Sequence, residues 1–119
     1  MTPPSPMIVY EVNLTMRNTI FKKNKEWLID HFHKMVIQNK FIKLQLFTVK
    51  NMDPLNDNDL RETKITAQYY VCDFAVLQSY FAKKARQMRD QVLETLDCHY
   101  SVSRRILECI EIFENKEAT

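Results

Sequence analysis

Histidines, cysteines and one arginine pair are the residues of this chain whose types could carry chemistry. His31 and His33 stand two residues apart. On a helix such a pair diverges by about 200°, so the two rings cannot share an ion; a helical ligand pair needs i, i+4 spacing. His99 has no second and third ligand spaced beside it. No metal and no cofactor is expected. Cys72, Cys98 and Cys109 are odd in number and form no C-x-x-C, against a disulfide scaffold or a zinc knuckle. They read as reduced, buried small side chains of a cytoplasmic protein. Ser101 and Ser103 lack a nucleophile elbow. Trp27 and His31 are i, i+4 neighbours. The plain reading is an aromatic–histidine contact at the rim of a core. The functional reading sets them at the mouth of a helix–sheet cavity, where His31 could exchange a proton near neutral pH.

The chain bounds these options. Its 119 residues allow one domain: a Pro-rich lead over residues 1–6 expected to be poorly ordered, the domain over 7–115, and a tail over 116–119. Glycine is absent, which excludes the P-loop, the dinucleotide fingerprint and the Gly-rich kinase loop, all of which bring bare backbone against phosphate. A net charge of +2 does not describe a general polyanion binder. Charge is uneven, with eight Lys/Arg against three Asp/Glu over residues 1–50. No apolar run approaches the roughly 20 residues that cross a bilayer, and the lead has no signal-peptide pattern. Neither membrane nor nucleic acid is expected as a partner.

Strict alternation predicts a strand over Met7–Leu14, with Ile8, Tyr10, Val12 and Leu14 on one face. A polar turn over Thr15–Thr19 follows, with Asn18 or Thr19 as helix cap. A helix is predicted over 20–38, its apolar arc made by Phe21, Leu28, Phe32, Met35 and Val36. Asn39–Lys40 closes it, Asn being the usual substitute for glycine at a left-handed cap. Strands are predicted over 41–49 and 64–72, joined by a loop over Asn51–Thr63. Asp73 caps a single helix running to Leu96 with the stripe Phe74, Leu77, Phe81, Ala85, Met88, Val92, Leu96. Tyr100–Ile110 fits a strand or a helix; the strand is preferred because it completes the sheet instead of leaving an open edge.

This order is βαββαβ, an α+β ferredoxin-like fold with a four-stranded antiparallel sheet. Right-handed crossovers place two helices on one sheet face. The other face collects Val9, Glu11, Asn13, Lys43, Gln45, Phe47, Gln68, Tyr70 and Arg105. It is half polar and half aromatic, as a face covered by a partner sheet or a ligand would be. At these residues the chain resembles a small bacterial family of unknown function. The resemblance rests on Met7–Leu14 (MIVYEVNL), Trp27 and His31, Gln68–Tyr69, Tyr80, Ala85, Met88 and Arg89, and Ser103–Leu107 (SRRIL). It implies a dimeric α+β barrel, two such sheets closing face to face, and no assigned reaction. Such relatives carry glycine near the end of the first helix, where this chain has Asn39–Lys40.

Val9–Leu14 also looks like an RNA-recognition strand motif, but Tyr10 travels with the core residues and the companion motif needs glycine. Arg104 and Arg105 point to opposite faces, so one of them approaches the helix-covered side. Arg105 is expected to pair with Glu11. Because the fourth strand is expected to flank the second or third, that contact is expected between subunits. The chain is therefore read as a homodimeric ligand- or partner-binding module without identified catalysis. Its candidate dimer face is Val9, Glu11, Lys43, Phe47, Gln68 and Tyr70. The alternative is a small enzyme acting on an apolar or aromatic compound, with Trp27, His31, Tyr69 and Arg105 lining the cavity.

Overall fold

The computed structural model describes residues 7–50 and 61–118. The expected lead over 1–6 and most of the expected loop over Asn51–Thr63 lie outside the described residues. The elements run β1 (Ile8–Arg17), α1 (Asn18–Gln38), β2 (Lys43–Thr48), β3 (Glu62–Val71), α2 (Phe74–Lys83), α3 (Ala85–Leu96) and β4 (Tyr100–Glu108). The sheet order is β2-β3-β1-β4 and every pairing is antiparallel. This is the ferredoxin-like βαββαβ arrangement, with the second crossover made by two helices instead of one.

Alternation in β1 sends Tyr10, Leu14 and Met16 under the helices, each at most 4% exposed. They meet Ala67, Tyr69 and Val71 of β3, Leu28, Phe32 and Met35 of α1, and Leu77, Tyr80, Met88 and Leu96 of the second crossover in one core. The strand runs three residues past Leu14, because Met16 continues the inward series. The expected polar turn is therefore strand and first helical turn. Asn18 opens α1 and Arg17 holds the cap position with no side-chain cap bond.

The second crossover breaks at Lys84 (φ −125°, ψ −25°). Asp73 caps α2 as expected, its carboxylate accepting from Val76 N at 3.0 Å. Hydrogen bonds continue across the break, Lys84 N to Tyr80 O at 2.8 Å and Met88 N to Lys84 O at 3.0 Å. What changes is phase. The buried residues of α2 are Leu77 and Tyr80, and those of α3 are Ala85, Met88 and Leu96. Ideal 100° steps put the centres of these arcs about 100° apart, so the break lets each helix turn its own narrower arc to the sheet. Phe74 and Phe81, expected in the stripe, are 45% and 36% exposed, and Tyr80 takes the inward position. Tyr100–Glu108 is strand. Cys72 and Cys98 are exposed and Cys109 is half-buried, against the expected burial, because all three lie beyond the core-facing stretches of their elements.

The absence of glycine leaves its mark at the turns. Three described residues have positive φ: Lys40 at 57°, Asp97 at 48° and Cys98 at 57°. After α1 the left-handed residue is Lys40, not Asn39. Asn39 (φ −112°) is buried and donates from Nδ2 to Met35 O at 2.9 Å, closing the helix by its side chain. A left-handed Lys carries a steric cost of about 1 kcal/mol that glycine avoids. Lys40→Gly is expected to raise the midpoint of thermal or urea unfolding, by an amount near 1 kcal/mol or less because the unfolded chain also gains freedom. An unchanged or lowered midpoint would show that the Lys40 side chain contributes more than its backbone costs.

Candidate functional site

Two places gather polar side chains: the open sheet face and a crevice between the helices and the sheet.

On the open face β1 is central, so its outward residues are flanked on both sides. Glu11 stands opposite Gln68 of β3 and Arg105 of β4. Arg105 is thus an intrachain neighbour, because β4 pairs with β1; the expectation of a contact between subunits is corrected. Glu11 is only 3% exposed although none of the described helices covers this face. One carboxylate oxygen accepts from Gln68 Nε2 at 2.9 Å, and the other from Arg105 Nε and from Asn13 Nδ2 at 3.1 Å. Asn13 Oδ1 accepts from Thr66 Oγ1 at 2.7 Å. The Arg105 hydrogen bond, helped by those from Gln68 and Asn13, outweighs burial and holds the Glu11 carboxyl down to about 2. Further out, Tyr70 donates from its hydroxyl to Gln45 Oε1 at 2.6 Å, and Lys43 Nζ lies 4.6 Å from the Tyr70 ring centre. Val9 is flanked by Tyr70 and Leu107, and Phe47 is 45% exposed near the β2 edge. All six residues of the expected dimer face therefore lie on this one face.

The crevice lies on the other side of β1. It is lined by Tyr10, Tyr69, Tyr80, His31, Arg89 and Arg104 among apolar neighbours, and holds about 40 Å³. That is room for a water molecule, far below the 300 Å³ or more of ordinary ligand pockets. His31 and Tyr69 reach it. Arg105 does not, since strand alternation turns it to the open face, and Arg104 takes the place. Trp27 lies outside the crevice lining and stacks on His31, ring centres 5.0 Å apart and planes 13° apart. Tyr10, Tyr69 and Tyr80 fill the space, with the Tyr10 ring in contact with both others at 5.9 and 5.8 Å. Burial pushes the hydroxyls of Tyr69 and Tyr80 up, away from ionisation. His31 is 6% exposed, and burial pulls it below its ordinary value of 6.5 despite a hydrogen bond with Gln91. A neutral imidazole among neutral phenols is a packed core with a proton-accepting group at its rim. Arg104 was legible as helix-facing by its alternation with Tyr100 and Val102, whereas Tyr80 lay outside the expected stripe and is brought to the crevice by the fold. No group of three His, Cys, Asp or Glu among the described residues could hold a metal ion, and none of their helices is long and apolar enough to cross a membrane.

A two-layer α+β sandwich, one sheet face built over by helices and the other left open around a neutralised carboxylate, places the protein among ferredoxin-like modules. The chain belongs to the family described as domain of unknown function DUF4286, whose model matches residues 7–110. Comparison with curated proteins gives no match. Among solved structures it is similar to a dimeric ferredoxin-like protein from an uncultured marine organism (TM-score 0.68, 10% identity, covering 91% of this chain and 99% of that one). It is also similar to a hydroxynitrile lyase from Passiflora edulis (0.60, 13%, 94% and 100%) and to a de novo designed protein (0.54, 12%, 85% and 96%). Likeness at such identities is a likeness of fold.

The two buried titratable groups separate by pH. Glu11 is depressed in the folded state, so the unfolded chain takes up its proton first. Its stabilisation is complete above about 4.5 and is lost as pH falls toward about 2. His31 is also depressed, so the unfolded chain protonates first and stability declines once pH drops below 6.5. Unfolding followed against pH is expected to show both declines. Glu11→Gln should cost about 1–3 kcal/mol at neutral pH and remove the lower one, and His31→Gln should remove the upper. Persistence of the lower decline in Glu11→Gln would assign it to another carboxyl.

Proposed function

We propose that this protein is a homodimeric binding module that closes its open sheet face against a second copy, and that it carries no catalysis of its own in the helix–sheet crevice. The observation that carries this reading is the state of Glu11. Its carboxylate is charged, buried and saturated with donors from within one chain. The central carboxylate can therefore be covered without being stranded, which would otherwise cost several kcal/mol; Lys43, set over the Tyr70 ring, is the cation that a covering surface must accommodate. Around that neutral centre Val9, Tyr70, Leu107 and Phe47 supply apolar surface. On a twofold copy the same residues meet their own kind, as an isologous contact requires. A total burial of about 1,600 Å² gives a stable pair, and the similar marine protein is described as dimeric. The exposed thiols of Cys72 and Cys98 fit a reducing, cytoplasmic setting. The small apolar ligand of the alternative reading would need the tyrosine-filled crevice to open well beyond its 40 Å³, so nothing favours it over the module.

Tyr70→Lys tests this. It sets a second ammonium directly opposite Lys43 on the face, with no carboxylate between them. Light scattering on a size-exclusion column should give the wild type at twice the 14.3 kDa chain mass, and the variant at one chain mass with an unchanged far-ultraviolet spectrum. A wild type eluting as a single chain at micromolar concentration would overturn the dimer.

A further inference from the structure

The crevice between helices and sheet is too small for a whole ligand, yet its donors are not used up. Tyr10 and Tyr69 line it and are 2% and 1% exposed. Among the described residues neither phenol hydroxyl has a hydrogen-bond partner, and no sealed side-chain oxygen is left without one. Both oxygens therefore touch open space, which is the crevice they line. The Tyr80 hydroxyl reaches only Met35 Sδ, at 3.7 Å, and a thioether is a weak acceptor. The three hydroxyls are close enough to act on one another. After burial, Tyr80 and Tyr10 push the Tyr69 phenol up, and Tyr10 pushes Tyr80 up. Leaving such buried donors without an acceptor is costly.

The border of the same space is cationic. Arg89 follows buried Met88 on α3, and Arg104 stands on β4 opposite Val12. Both line the crevice, so two elements bring guanidiniums to it from different sides. Among the described residues the ion pairs are Lys34–Asp30 and Arg105–Glu11, which leaves Arg89 and Arg104 without a carboxylate. None of the lining residues is acidic. His31 is the remaining titratable group of the lining, and burial disfavours its charged form. Arg89 and Arg104 both oppose the upward push that burial gives Tyr80, so their charge reaches its hydroxyl.

Phenol and guanidinium donors thus surround one space that lacks a negatively charged acceptor. Its 40 Å³ admits only a few heavy atoms, since each water-sized site takes about 10–15 Å³. A carboxylate is that small, accepts at both oxygens and matches the planar guanidinium fork. We propose that the crevice is a carboxylate-binding subsite, gripped by Arg89 and Arg104 at its border and by the hydroxyls of Tyr10, Tyr69 and Tyr80 within. The rest of a small organic acid lies outside the mouth, toward solvent. This gives the binding module a ligand class without asking for a reaction. It sits on the helix side of the sheet, so it does not depend on the dimer.

The test is a titration of the whole chain with acetate, read by the nuclear magnetic resonance signals of arginine side chains and tyrosine rings, with chloride holding the ionic strength constant. Acetate should shift the Arg89, Arg104 and Tyr69 signals saturably, and neutral acetamide should not. Arg89→Gln and Arg104→Gln alter exposed side chains and should keep the circular dichroism spectrum. Each should weaken acetate binding about tenfold, the worth of one charge-assisted hydrogen bond. Arg104→Lys should recover only part of that loss, because it restores charge without the fork. Tyr69→Phe should weaken binding too. The absence of any saturable shift would overturn the subsite. So would shifts that persist undiminished in the double Arg→Gln variant, or that sulfate reproduces equally, which would show an adventitious ion only. The mass of the wild type on the size-exclusion column reports on the dimer separately and is unaffected by any of these outcomes.

Discussion

A carboxylate buried on a sheet face that none of the described helices covers is the constraint around which the open side of this protein is organised. β1 is the central strand, flanked by β3 and β4, so side chains on both of its faces are crowded by neighbours. On the inner face that crowding is met by Tyr10, stacked on Tyr69. On the outer face it falls on Glu11, whose charge would be costly without partners. Arg105, Gln68 and Asn13 exist in register to supply them. A slip of one residue in either flanking strand would turn Gln68 or Arg105 to the wrong face. The ion pair thereby fixes the register of three strands, even though Arg105, 65% exposed, loses much of its Coulombic attraction to solvent.

The inner layer follows a different rule. It is packed to near completeness by large rings, with the imidazole of His31 and the phenols of Tyr69 and Tyr80 held away from ionisation and the guanidiniums of Arg89 and Arg104 at its border. Where the chain needs a sharp reversal it uses Lys40, Asp97 and Cys98 in left-handed backbone, a small local strain that the packed layers on either side hold in place. The break at Lys84 belongs to the same economy of turns. It keeps its backbone hydrogen bonds and only shifts phase, letting Leu77 and Tyr80 face the sheet from α2 while Met88 and Leu96 do so from α3.

Much of this is legible in the sequence, and the reasons separate cleanly. Period-two alternation located β1 and β3, because burial on one face leaves a direct trace in residue type; β4 also fitted a helical pattern and was preferred as a strand because it completes the sheet. Alternation likewise sorted the open face, from Val9 to Tyr70. The break at Lys84 left no such trace, since Lys84 is an ordinary helix former and a phase shift appears only when the two arcs must fit one sheet. The pairing of β4 with β1 depends on topology, which residue type does not encode, so Glu11 and Arg105 were rightly joined but wrongly assigned to different chains. Arg104 carried the inward periodicity of Tyr100 and Val102, and that alternation puts it, and not Arg105, at the crevice.

Fold alone does not carry function here. A hydroxynitrile lyase and a de novo designed protein share this architecture at 13% and 12% identity, so the scaffold accommodates a reaction or none. What distinguishes this chain is how its surfaces are left. The crevice is filled by Tyr10, Tyr69 and Tyr80 down to about 40 Å³, and the carboxylate of the open face is already met by donors of its own chain. What that face presents to water is Tyr70 and Phe47 beside the ammonium of Lys43. In the dimer proposed above, Lys43 is the group a twofold contact must accommodate, because Glu11 is already taken by Arg105.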